Sequence, residues 1–274
     1  MAMLLVSAFT TLCELNAAAA SPKPPRPHVL VLYENGGHHI AFSQRARIWL
    51  EQFTENSGFD VDYINSPNAL DEEILSRYSL FIQLDYPPYG WAPKAVAAFE
   101  RYITNGIGGW IGFHHASLLG KFDGYPMWEW FSRFLGDITY VNYIPTFVEV
   151  TVNVEDTKHP IMKGVPAHFV IEKEEWYTYN KSPRPNVKVL ASVDEATYKP
   201  DTKIRMGDHP VIWTNTKVRA RNVYIFMGHS PDLFENVAYT TLVRNAIFWA
   251  AGKTGRYKAA APTSGSTDMC VAKQ

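Results

Sequence analysis

Cysteine is nearly absent from this chain: of 274 residues only Cys13 and Cys270 are cysteines, one near each end. That excludes a disulfide framework, a CxxC motif and an internal cysteine nucleophile, and with it a cysteine-based amidotransferase or peptidase. An excess of positive charge is missing too. Lys plus Arg number 26 against 27 for Asp plus Glu, with no basic run, so the footprint of a nucleic-acid binder is not there. The apolar stretch Met3 to Leu12 falls well short of the roughly 20 residues that span a bilayer, so no stable membrane span is expected. There is no GxSxG elbow, no Walker loop and no repeat of fixed period. The glycines of "NGIGG" precede a strand instead of following one, which rules out a dinucleotide fingerprint.

What is present is the composition of a globular core, 46% hydrophobic and 14% aromatic. Residues 1–20 resemble a secretory signal ending in Ala18 to Ala20, which would make the protein secreted or periplasmic once cleaved and cytoplasmic otherwise. No Lys or Arg precedes the apolar stretch and Glu14 interrupts its end, so a frayed N-terminal helix is the alternative. Residues 21–27 form a proline-rich linker, 28–253 the folded domain, and 254–274 a disordered tail.

Within the domain, strand and helix signals alternate. "HVLVLY" (His28 to Tyr33), "FDVDYI" (Phe59 to Ile64), "SLFIQLD" (Ser79 to Asp85) and "GWIGFH" read as strands. Between them lie helices at Ile40 to Glu55, in "LDEEILSRY", and in "APKAVAAFERYITNG", where Pro93 suits the first turn and Gly106 the end. Ile40, Ala46, Ile48, Leu50 and Phe53 supply the apolar face of the first helix. Further strands are expected at Phe147 to Val154, Asn186 to Val193, "HPVIWTN" and Asn222 to His229, and a last helix from Leu233 to Ala251. This alternation predicts an α/β fold: one three-layer domain with a mostly parallel, flavodoxin-like sheet and helices on both faces.

The histidines carry the functional signal. His38 and His39 follow strand one, Asp85 ends strand three, His114 and His115 follow strand four, and His229 follows the last strand. Ligands of open parallel sheets bind outside the carboxyl ends of the strands, so His39, Asp85, His114 and His229 are expected in one crevice. Side chains alternate along a strand, so one of His114 and His115 should face the site and the other a helix. His115 is expected at the periphery, alongside Asn35 and His38 as substrate contacts. His28, His159, His168 and His209 read as structural. Histidine exchanges protons near neutrality, and a converging set also suits a divalent metal such as zinc or manganese, with His39, His114 and His229 as ligands. No HExxH or tight local spacing demands one. "EKEEWYTY" (Glu172 to Tyr179) reads as neither clean helix nor clean strand. "YPMWEWFSRFLG" fits ordinary helix packing, with Trp130 the residue that could instead line a sugar-sized cleft.

Taken in order, "GGHHIAF", "GIGGWIGFHHAS", "HPIMKG", "EEWY", "HPVIWTN…NVYIFMGHS" and "NAIFWAAGK" resemble the trehalose-utilisation, or ThuA-like, family over roughly His28 to Lys253. The resemblance implies a class I glutamine amidotransferase-like fold without its cysteine nucleophile. It matches His39, His114, Glu175, Tyr177 and His229 to the family's motif positions. The chain departs at His115, where the family has Ala, and at Glu174, where it has Asp. The resemblance further implies sugar catabolism near 3-keto sugars. The expectation is therefore an enzyme acting on a small carbohydrate, a 3-keto-glycoside, by acid–base chemistry of His39, His114, Glu175 and His229, with Tyr177 binding substrate. Hydrolase, lyase and isomerase remain open. The rivals are a non-catalytic carbohydrate-binding protein and a metal-dependent hydrolase using an activated water. The sequence carries no signal for an oligomeric state.

Overall fold

Each of the four apolar runs in the first half forms a strand of a single sheet in the computed structural model, which describes residues 26–252. The signal-like segment, most of the linker and the tail lie outside the described residues. The strands are β1 (His28–Tyr33), β2 (Asp60–Ile64), β3 (Leu80–Leu84) and β4 (Gly109–Phe113). After β5 (Tyr140–Tyr143) come β6 (Val148–Val154), β7 (His168–Glu174), β8 (Tyr177–Tyr179), β9 (Lys188–Lys199), β10 (Pro210–Thr214) and β11 (Asn222–Ile225). The nine-stranded sheet runs β2-β1-β3-β4-β11-β10-β9-β6-β7. Its first five strands are parallel, in the flavodoxin-like arrangement, and β10, β9, β6 and β7 extend it as an antiparallel wing. β5 and β8 pair separately as a small ribbon.

Both faces of the parallel half are covered, because β3 and β4 are apolar on both sides. On one face, α1 (Ile40–Ser57) and α5 (Val237–Ala250) pack Ala46, Leu50, Val243 and Ile247 around Ile82, Leu84, Ile111 and Phe113. On the other, Phe99 of α3 (Pro93–Asn105) and Phe131 and Phe134 of α4 (Glu129–Phe134) crowd Trp110. A short α2 (Glu72–Leu75) is capped by Asp71, whose side chain accepts the Ile74 N–H at 2.9 Å.

Three local expectations are corrected. In α1 the buried face is Phe42, Ala46, Leu50 and Phe53, spaced for one helical stripe, while Ile40 and Ile48 are exposed. The last helix does not start at Leu233. Pro231–Glu235 form a 3₁₀ turn, and Asn236 then caps α5 by accepting the Ala238 and Tyr239 N–H groups. "EKEEWYTY" resolves into the end of β7 and the whole of β8, with Glu175 and Trp176 at the break. Among the described residues no helix is long and apolar enough to cross a membrane.

Candidate active site

The carboxyl ends of β1, β3, β4 and β11 meet at one edge of the sheet. Glu34 follows β1, and His39 occupies the N-cap position of α1. Asp85 follows β3, His114 and His115 follow β4, and His229 lies a few residues past β11. The antiparallel wing delivers Glu174 and Glu175 to the same place from the β7–β8 break.

Two of these residues sit in an unusual backbone conformation. Asp85 has φ +49° and His114 has φ +36°, in a region side chains other than glycine rarely adopt. The turn at His114 is held from all sides: its carbonyl accepts the Tyr224 and Ser117 hydroxyls, each at 2.9 Å. The β11 exit passes directly over it. A Cβ on Gly228 would stand 2.8 Å from the His114 Cβ and 2.9 Å from Asp85 Oδ1, so only glycine fits there.

That turn also overturns the expectation for His115. The strand ends at Phe113 and His114–Ser117 form a 3₁₀ turn, so alternation across a strand no longer applies. Both histidines turn toward the site: the His115 ring lies 3.8 Å from that of His39, and its Nδ1 is 3.3 Å from Glu34 Oε2.

His114 Nδ1 is 3.2 Å from the Phe226 carbonyl, and its Nε2 lies on the opposite side of the ring. That Nε2 faces Glu175 Oε2 at 3.2 Å. His39 Nδ1 is 3.5 Å from Glu34 Oε2, and its Nε2 is 2.9 Å from His229 Nδ1, which in turn is 3.3 Å from Glu175 Oε2. Burial pushes His114 down to about 3 and His39 down to about 4, against the upward pull of Glu175 on the first and Glu34 on the second. Burial alone would raise Glu34 and Glu175, but their histidine neighbours prevail and hold both below the usual carboxylate range. Glu174 is fully buried under the His229 and Ser230 N–H groups, and burial lifts it to about 8. Burial also raises Asp85 well above its ordinary value, with Glu174 and Glu34 adding to the effect.

One nitrogen or oxygen from each of His39, His114, Glu175 and His229 lies within 4.8 Å of the others. Glu34, His39 and His115 form an overlapping set by the same measure. Three imidazoles and one carboxylate are donors suited to a zinc-like ion. Glu34 behind His39 and the Phe226 carbonyl behind His114 are the outer partners that orient such ligands.

Above the cluster opens a cleft of about 480 Å³, lined by His38, His39, His115, Glu175, Tyr177 and His229 together with a lip from Tyr140 to Phe147. The other sequence-predicted contacts fall elsewhere. Asn35 is exposed on the β1–α1 loop outside this lining, Asp85 is enclosed beneath it, and Trp130 lines a different cleft beside α4. His114 is likewise covered and lies behind the lining residues Glu175, Tyr177 and His39. His28 lies by Asp60, His159 against Trp249, His168 by Asn153 and His209 by Glu195, all away from the cluster. Sequence reasoning missed Glu34, although it ends a strand as Asp85 does. It also missed the lip residues Tyr143 and Phe147, whose place depends on the non-local pairing of β5 with β8.

Sheet order and site together define an α/β protein with a histidine–carboxylate centre at the strand ends. The family model described as "Trehalose utilisation", ThuA, matches residues 28–250, and the chain belongs to that family. A ThuA-like protein from Bacteroides uniformis shares 31% identity over 85% of this chain and 94% of its own, with a TM-score of 0.75. One from Parabacteroides merdae shares 23% over the same portions, with a TM-score of 0.61. A cytoplasmic protein from Salmonella typhimurium, 14% identical over 81% of this chain and 98% of its own, has the same fold at a TM-score of 0.55. Comparison with curated proteins finds no match. Family membership places the chain in carbohydrate metabolism.

Proposed function

We propose that this protein is an enzyme of sugar catabolism that acts on 3-keto-glycosides in the cleft, with His39, His114, Glu175 and His229 holding a divalent metal such as zinc or manganese. One observation carries the metal. His39, His114, Glu175 and His229 each contribute one nitrogen or oxygen to a group whose atoms all lie within 4.8 Å of one another, and three imidazoles with one carboxylate are a donor set suited to such an ion. His114 Nε2 and His229 Nδ1 stand 3.2 and 3.3 Å from the same Glu175 oxygen.

Bound there, the ion would supply Lewis-acid polarisation of a sugar oxygen. The residues do the rest. A carbonyl at C3 acidifies the C–H at C2. A base that takes this proton leaves an enolate, whose electrons form a C1–C2 double bond and expel the C1 oxygen substituent, which is protonated as it leaves. His115, held through Nδ1 by Glu34, lines the cleft and is placed to move that proton at Nε2. Tyr177 packs on the His114 ring at 4.3 Å and lines the cleft that would hold the sugar. No serine or cysteine is needed for this sequence of events.

The test is a product assay on 3-keto-disaccharides with purified protein, before and after chelation. Turnover that disappears with the chelator and returns with zinc or manganese supports the reading. Absence of turnover on every 3-keto-disaccharide, with sugar binding intact, would replace it with a non-catalytic carbohydrate binder.

A further inference from the structure

A second cleft, of about 380 Å³, lies beside α4 and is lined by Tyr89, Trp91, Glu100, Tyr125, Trp128 and Trp130 among others. Its aromatic wall is built, not incidental. Phe122 to Tyr125 close a tight turn in which the Tyr125 N–H donates to the Phe122 carbonyl at 2.8 Å. The two central residues, Asp123 and Gly124, have φ of +50° and +81°, so the turn presents both flanking rings together. Tyr89 packs against both, at 5.6 Å from Phe122 and 6.1 Å from Tyr125. Glycines make room underneath. A Cβ on Gly120 would stand 2.8 Å from the Phe122 ring, and one on Gly90, which has φ +72°, would touch the Tyr125 ring at 3.4 Å. Tyr125 is still 48% exposed, so its ring is held in place yet open to a ligand.

This surface is continuous with the first cleft. Phe122 lies 5.9 Å from Tyr140, which lines that cleft and stands 5.2 Å from Tyr177. Aromatic rings therefore run from the histidine cluster through Tyr177, Tyr140, Phe122 and Tyr89 to Tyr125. The lining includes no lysine or arginine and does include Glu100, which accepts the Trp128 indole N–H at 2.8 Å, and Glu129. Such a wall repels phosphates and other anions. It matches a neutral polyol whose C–H faces lie on aromatic rings and whose hydroxyls donate to carboxylates and phenols.

We infer that the second cleft is a distal carbohydrate subsite, so that the protein binds oligosaccharides extending from the reactive cleft along Tyr140, Phe122 and Tyr89 to Tyr125. The inference rests on the proposed function only in taking a sugar as the ligand, and its test needs no turnover. Calorimetry with linear glucose oligomers, α- and β-linked, from disaccharide to hexasaccharide, should show affinity rising about tenfold once the chain is long enough to reach Tyr125. Tyr125→Ala should abolish that increment and leave disaccharide affinity unchanged, while Tyr125→Phe should keep it. Matching melting curves for the variants and the wild type guard against misfolding. Affinity independent of length, or a Tyr125→Ala protein that keeps the increment, would overturn the inference. So would binding of a proline-rich peptide at the cleft in place of any oligosaccharide.

Discussion

His114 Nε2 faces Glu175 Oε2 at 3.2 Å, while the opposite nitrogen of the same ring is taken by the Phe226 carbonyl. The rest of the cluster gathers around that contact. His229 Nδ1 stands 3.3 Å from the same Glu175 oxygen and 2.9 Å from His39 Nε2, Glu34 lies 3.5 Å from His39 Nδ1, and Gly228 lets β11 close over the assembly.

Glu34 tests the outer support. Glu34→Gln keeps the shape but removes the charge behind His39 Nδ1, and it should weaken divalent-metal binding by about 10–100-fold. A zinc titration against a competing chelator measures this. Unchanged affinity would mean that Glu34 serves His115 alone.

Gly228 tests the strained turn. In Gly228→Ala the new methyl would be driven into His114 and Asp85, which should cost about 2 kcal/mol of stability and displace His114. Urea denaturation reads the first effect and metal affinity the second. A variant of wild-type stability would show that the β11 exit has slack.

Phe147 tests the lip. Its ring is 46% exposed and lies 5.0 Å from that of His229. Phe147→Ala should raise KM for a 3-keto-disaccharide about tenfold with kcat little changed, because it removes a stacking face and no polar group. A fall in kcat at constant KM would contradict this role.

Glu195 tests pH dependence away from the site. Burial works against its ionisation, but His209 and the N–H groups of Met206 and Gly207 outweigh burial and hold the carboxyl below its usual range. Between the lowered folded value and the ordinary carboxylate value the unfolded chain binds more protons, so stability rises with pH there. The contribution is complete above the ordinary value and is lost as pH falls through the folded one. Glu195→Gln should therefore cost about 2 kcal/mol at pH 7, and the gap to wild type should shrink toward pH 3. Thermal melts at several pH values measure it, and a gap constant with pH would contradict it.

The parallel half of the sheet was legible because β1, β3 and β4 are short apolar runs separated by helices with clear ends, such as Pro93 and Gly106. Strand-end logic brought His39, His114 and His229 together for the same reason: local order along the chain maps directly onto neighbours in a parallel sheet. The antiparallel wing breaks that map. Glu175 arrives from the β7–β8 break, and Tyr143 and Phe147 arrive through β5, so only the family resemblance could point to Glu175 and nothing pointed to the lip. His115 was misread for a different cause. The alternation rule holds within a strand, and the chain leaves its strand one residue earlier, at a positive φ that the sequence does not display. The aromatic setting of Trp130 suggests a cleft, but no local pattern tells which of two clefts an aromatic side chain lines.

The most direct measurement is the metal content of the purified wild-type protein beside Glu175→Ala and His229→Ala, with zinc titrated back after chelation. The account predicts one tightly bound divalent ion per wild-type chain, lost in both variants while their folds remain intact. A wild-type protein that binds no divalent ion, or variants that bind it as tightly, would contradict the central claim.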